Sequence, residues 1–166
     1  MKKLFILLAA MTMSVSMMAQ AEVKFMGIPV SYSYEQFISE LGQKVQLEYH
    51  YSTSDEYKGT FAGIEDCGIG VEKDESGDVK QIIVDKNLWR APADIQTLKL
   101  KYDTKYGAPI SDREDRDNTH YYTYKAGDTQ IELILEYGDR YDPSRVTSFV
   151  IIYQPRKFQG FSTNDI

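Results

Sequence analysis

The chain has 166 residues, with 19 Lys and Arg against 25 Asp and Glu, a formal charge of −6 and a single cysteine. Such a length suits one domain able to bury a real core. The acidic balance, without any run of Lys or Arg, argues against a nucleic-acid binder and an anionic-membrane binder. A lone cysteine excludes an internal disulfide.

The first 21 residues read as an export signal. Lys2 and Lys3 form a positive start, Leu4 to Ala10 is apolar, and Ala19-Gln20-Ala21 offers the small residues that signal peptidase needs. The apolar part is shorter than the ~20 residues of a membrane span. No cysteine near the cut offers a lipid anchor. Cleavage is expected after Ala21, with Ala19 as the second choice. It would leave 166 − 21 = 145 residues and a charge of 17 − 25 = −8, since Lys2 and Lys3 are lost. The expected location is periplasmic or extracellular, and residues 22–155 form one domain.

In the mature chain, Tyr34, Phe37, Ile38, Leu41 and Val45 recur at helical spacing. Ser33 and Gln36 form a capping-box pair, and Gly42 is the expected stop. Strands are expected at 45–51, 57–63, 67–73 and 79–85, with Ser52 to Asp55 as a loop. Leu47, Tyr49 and Tyr51 would share one strand face.

Ala91-Pro92 opens a second helix, with Ile95, Leu98, Tyr102 and Tyr106 as its apolar face and Gly107 as its stop. Trp89, just before it, reads as a core anchor. Strands follow at 119–125, 129–137 and 146–153. The last is apolar on both parities and belongs inside the sheet. Ser111 to Asn118 reads as a polar connection, and residues 156–166 as a mostly mobile tail whose Phe158 and Phe161 could fold back.

The predicted class is α+β: an antiparallel sheet of six or seven strands with two helices on one face, in two imperfect helix-plus-strands rounds. This architecture resembles the two-repeat fold of the β-lactamase inhibitor protein and of small outer-membrane assembly lipoproteins. Phe25-Met26-Gly27-Ile28-Pro29-Val30, Tyr34-Glu35-Gln36-Phe37-Ile38 and Lys105-Tyr106-Gly107-Ala108-Pro109 also look like a family of uncharacterised small secreted proteins of Gram-negative anaerobes. That resemblance covers most of the mature chain and implies no catalytic residues.

Candidate chemistry is sparse. Asp74 to Asp85 places Asp74, Ser76 and Asp78 at alternate positions, as a calcium loop would. Its sixth position is Val79 and its twelfth Asp85, where such a loop needs glycine and glutamate. Gly77 instead suits a hairpin turn. The acids Asp112, Glu114, Asp115 and Asp117 are interleaved with Arg113 and Arg116 and read as solvated loop. Cys67 has no placed base and reads as an inert core thiol, while His50 and His120 lack zinc-ligand spacing. No cofactor or metal is expected.

Thirteen tyrosines are the remaining signal, since tyrosine serves interfaces well. His120, Tyr122 and Tyr124 share a strand face and are the expected partner-binding residues. The function read from the sequence is a non-catalytic exported module binding a protein or envelope component through an aromatic sheet face. A hydrolase inhibitor and an envelope-assembly factor are its narrower forms. The alternative is a small secreted hydrolase using paired carboxylates.

Overall fold

A computed structural model describes residues 22–87, 97–138 and 145–158. The expected signal peptide, Trp89, the Ala91-Pro92 start, Ile95 and Phe161 lie outside these residues.

The fold is α+β, and the described residues form a two-stranded ribbon, two helices and an eight-stranded antiparallel sheet. The ribbon is β1 (Lys24–Phe25) and β2 (Ile28–Pro29). Helix α1 (Tyr34–Leu41) leads into β3 (Gln46–His50), β4 (Ser54–Phe61), β5 (Ile64–Lys73) and β6 (Val79–Asn87). Helix α2 (Leu98–Tyr106) leads into β7 (Ser111–Glu114), β8 (Thr119–Ala126), β9 (Thr129–Tyr137) and β10 (Val146–Gln154). The sheet order is β3-β4-β5-β6-β10-β9-β8-β7. Each helix thus precedes a four-strand meander, and the two meanders join through β6 and β10. The doubly apolar β10 is central, as its sequence predicts.

Two strand predictions need correction. The sheet has eight strands rather than six or seven, because Ser111–Glu114 pairs with β8 although its side chains are all exposed. A Ser-Asp-Arg-Glu sequence has poor strand propensity, and only its backbone pairing with β8 makes it a strand. Strand β4 also begins at Ser54, inside the expected loop, with Asp55 pointing into the core.

Local chemistry sets the turns. Asp74 accepts the amides of Ser76 and Asp78 through Oδ1, both at 2.9 Å, while Gly77 adopts φ 84°. The former calcium-loop candidate is therefore the β5–β6 hairpin turn. Its grammar recurs between β7 and β8. Asp115 Oδ1 accepts the amides of Asp117 and Thr119, with Asn118 at φ 58°. Ser33 caps α1 by accepting the Gln36 amide at 3.4 Å. Gly42 ends that helix at φ −62°, without the expected left-handed conformation.

One hydrophobic core joins α1, α2, the ribbon and one face of the sheet. Its rows follow the strand register. Tyr57, Ile69, Val84, Ile151, Leu133 and Tyr122 form one row, and Asp55, Val71, Ile82, Tyr153, Ile131 and Tyr124 the next. Cys67 is fully buried there, and its Sγ donates to the Ile64 carbonyl at 3.3 Å. Burial pushes the thiol's pKa up, so thiolate chemistry is disfavoured. The start of the tail is docked: Phe158 N–H donates to Asp128 O, and Arg156 pairs with Asp78 at 3.2 Å.

Gly59 lets the end of the α1 segment lie on β4. A Cβ there would sit 2.4 Å from Val45 Cγ1. Gly59→Ala is expected to cost about 1–3 kcal/mol by overpacking. Denaturant unfolding should show part of that cost relieved when Val45→Ala is added, since the Val45 Cβ itself would remain 2.9 Å from the new methyl.

Candidate functional site

His120, Tyr122 and Tyr124 do share a face of β8, and α2 covers it. Tyr124 is 0% exposed and packs on Tyr102, with ring centroids 5.8 Å apart. Its hydroxyl donates to Asp103 Oδ1 at 2.8 Å, and Asp103 also takes Lys99 Nζ at 2.6 Å. The Lys99 and Tyr124 bonds hold the Asp103 carboxyl below the usual carboxylate range. Tyr122 is buried beneath Lys99, whose Nζ stands 4.8 Å from its ring centroid. His120 stacks on Tyr122 and meets Tyr137 edge-on. The trio is a structural network on the core side.

The opposite face of the sheet has no described helix over it. Its rows run Tyr49, Glu56, Gly70, Ile83, Ile152, Glu132, Thr123 and, beside them, Lys58, Gly68, Asp85, Val150, Ile134, Tyr121. At the β7 end the face is closed by charge: Arg113 stands 3.8 Å over the Tyr121 ring, and the Tyr121 hydroxyl donates to Asp115. Charged edges of this kind discourage strand addition.

The β3 end differs. Leu47, Tyr49 and Tyr51 are 49%, 58% and 50% exposed, three of the five large hydrophobics exposed among the described residues. The single face expected for them is broken by a bulge. Leu47 lies opposite Tyr57, but Tyr49 lies opposite Glu56, so Glu48 is the extra residue. A bulge shifts side-chain parity by one. It therefore turns Tyr49 onto the open face, where it stacks on Tyr51 at 6.4 Å.

Next to this edge the sheet surface is hollow. Gly68 and Gly70 place no side chain over β5. Glu48, Glu56, Ile83 and Asp85 surround the resulting groove of about 340 Å³. A Cβ on Gly68 would meet Asp85 Oδ1 at 2.8 Å, whereas one on Gly70 would meet only Ile83, at 4.0 Å. Among the described residues, Glu48, Glu56 and Asp85 have no cationic partner, while Glu72 at the groove's margin pairs with Lys80 at 3.2 Å. The groove thus offers an apolar floor, unneutralised carboxylates and two adjacent exposed rings.

On the other side of the same edge, Asp55 is 2% exposed and its Oδ1 accepts from His50 Nδ1. Tyr57 lies beside it, and burial first, then the Asp55 charge, pushes that phenol up to about 12. The same causes raise Tyr34. This buried carboxylate anchors the β3–β4 corner from inside. Sequence reasoning missed the groove, although Gly68 and Gly70 alternate with Cys67, Ile69 and Val71 and so mark one bare strand face.

The site is an open sheet face ending in an aromatic edge strand, a geometry suited to binding extended chains. No protein-family model and no curated protein matches the chain. Among solved structures, it is similar to a DUF4309 family protein, YjgB, from Bacillus subtilis, at 11% identity over 74% of this chain and 78% of that one, with a TM-score of 0.39. A score of that size does not establish a shared fold. Among the described residues, no helix is long and apolar enough to cross a membrane.

Proposed function

We propose that the chain is a non-catalytic, exported binding module that docks an extended, basic segment of a secreted or envelope protein along β3. The observation that carries this reading is the pairing of an exposed aromatic edge with an unneutralised acidic groove. An added strand would bond the free backbone of β3, and main-chain pairing of this kind supplies affinity while side-chain pockets supply specificity. Gly68 and Gly70 on β5, and Ile83 and Asp85 on β6, lie about 14 and about 19 Å from a strand added at β3. Residues flanking the paired strand would therefore cross the open face, lay the alkyl stems of Lys or Arg over Gly68, Gly70 and Ile83, and reach Glu56 and Asp85. The expected signal peptide is the reason for seeking the partner outside the cytoplasm. The mirrored order of the two meanders is what a two-repeat architecture would give.

A displayed random-peptide library selected on the protein tests this. Peptides that join an apolar, strand-forming stretch to a flank of Lys or Arg should be enriched. The cation preference should vanish with Glu56→Gln plus Asp85→Asn. Tyr49→Ala plus Tyr51→Ala should weaken selected peptides about tenfold or more. No enrichment, or enrichment indifferent to these changes, defeats the proposal. Gly70→Ala separates groove from fold: it should stabilise the protein by about 0.4–1 kcal/mol in thermal unfolding, yet reduce peptide binding.

The alternative reading, a hydrolase using paired carboxylates, draws on the same groove, because Glu56 and Asp85 flank its glycine floor from β4 and β6. A hydrolase would release products from a mixed glycan or peptide substrate. The Glu56→Gln and Asp85→Asn changes would abolish that turnover and leave substrate bound.

A further inference from the structure

A second hollow lies between the β1–β2 ribbon and α2. Two adjoining cavities of about 700 and 170 Å³ share Lys24, Met26, Lys105 and Tyr106 in their walls. Lys125 borders the larger and Lys101 the smaller. These four lysines come from β1, α2 and β8, so their convergence is invisible along the sequence. The single acid in these walls, Glu22, accepts a hydrogen bond from Ser31 Oγ at 2.8 Å. Among the described residues, none of the four lysines has a carboxylate partner.

In a chain with more acids than bases, this is an unusual arrangement. Lys101 and Lys105 stand four apart on α2, and like charges so placed repel. Lys105 gains from the negative end of the helix dipole and stands 4.9 Å over the Tyr106 ring, and Lys125 stands 4.8 Å over the Phe158 ring. Lys24 and Lys101 have no such partner among the described residues. The walls are otherwise apolar, with Met26 and the Tyr106 ring. The Tyr106 hydroxyl is buried without a hydrogen-bond partner among the described residues. Lysines around an apolar hollow of ligand size match the general make-up of small-molecule sites.

We propose that this cleft binds a small amphipathic organic anion. Its carboxylate or sulfonate faces the lysines, and its aliphatic or aromatic body lies against Met26 and Tyr106. The site is separate from the β3 groove and opposite to it in charge.

Fluorescence titration of the full chain with 8-anilinonaphthalene-1-sulfonate tests this, with neutral N-phenyl-1-naphthylamine as the same ring body lacking the sulfonate. The anion should bind saturably and about tenfold more tightly than the neutral probe, and less tightly as salt rises. Lys24→Glu plus Lys105→Glu should erase that preference with the melting temperature retained. The milder Lys24→Gln plus Lys105→Gln pair serves if charge reversal unfolds the protein. Tyr49→Ala plus Tyr51→Ala should leave the titration unchanged, which separates this site from the β3 edge. Equal affinity for both probes, or a preference that survives the lysine changes in folded protein, overturns the proposal.

Discussion

Phe25→Ala should destabilise the protein by about 3–5 kcal/mol, although Phe25 sits in a strand of only two residues. Its ring is 1% exposed and touches three separate elements. It stacks on Phe61 of β4 at 5.4 Å, meets Tyr153 of β10 edge-on at 5.5 Å and reaches Phe37 of α1 at 6.1 Å. The ribbon turns at Met26-Gly27, both at positive φ, and so returns Ile28 and Val30 to the same core. Truncation removes the aromatic contacts of two strands and a helix at once, leaving a cavity that three rigid elements cannot close. Urea unfolding measures the loss, and Phe25→Leu should recover part of it. A loss below about 1 kcal/mol would mean that the ribbon is a peripheral attachment.

High pH should unfold the protein cooperatively. Burial pushes the Tyr57 and Tyr122 phenols up to about 12. It also raises Tyr34, Tyr102, Tyr124 and Tyr153, with the Asp103 hydrogen bond adding to the effect at Tyr124. An unfolded tyrosine ionises near 10. The folded state therefore keeps its protons at pH values where the unfolded chain loses them. The corresponding stability is fully present below pH 10 and drains away as pH rises from 10 through about 12. The tyrosinate absorbance of these six buried rings, which exposed ones such as Tyr49 and Tyr51 do not share, should appear together with the loss of far-UV circular dichroism. Smooth ionisation of all the tyrosines near pH 10 with secondary structure intact would show that these hydroxyls are open to water.

Much of the fold is legible in the sequence because its signals are local. Asp74 and Gly77 write a turn, Ser33 writes a helix start, and the alternation in Ile131 to Tyr137 writes a strand with one buried face. What escapes is decided by pairing partners. Ser111–Glu114 becomes a strand only because β8 offers it a backbone ladder. The Glu48 bulge, which separates Tyr49 from Leu47, leaves no mark in a simple period of two. For β8 the sequence places His120, Tyr122 and Tyr124 together correctly, but it does not say which face α2 will cover. The greater apolar content of that face, against Thr119, Tyr121, Thr123 and Lys125 on the other, was the available clue that it turns inward. The two clefts are less legible still. One needs glycines read as missing side chains, and the other gathers lysines separated by up to 101 positions, from Lys24 to Lys125.

Amide hydrogen exchange tests docking along β3 most directly. With a saturating basic–apolar peptide from the library selection, the amides of Gln46–His50 should exchange about tenfold more slowly or better, as expected when an edge gains a ladder worth a kcal/mol or more. The charged opposite edge, Ser111–Glu114, should be unchanged and serves as the internal control. Protection at Ser111–Glu114 instead, or a bound peptide that leaves Gln46–His50 unprotected, would contradict the assignment of the partner to this edge.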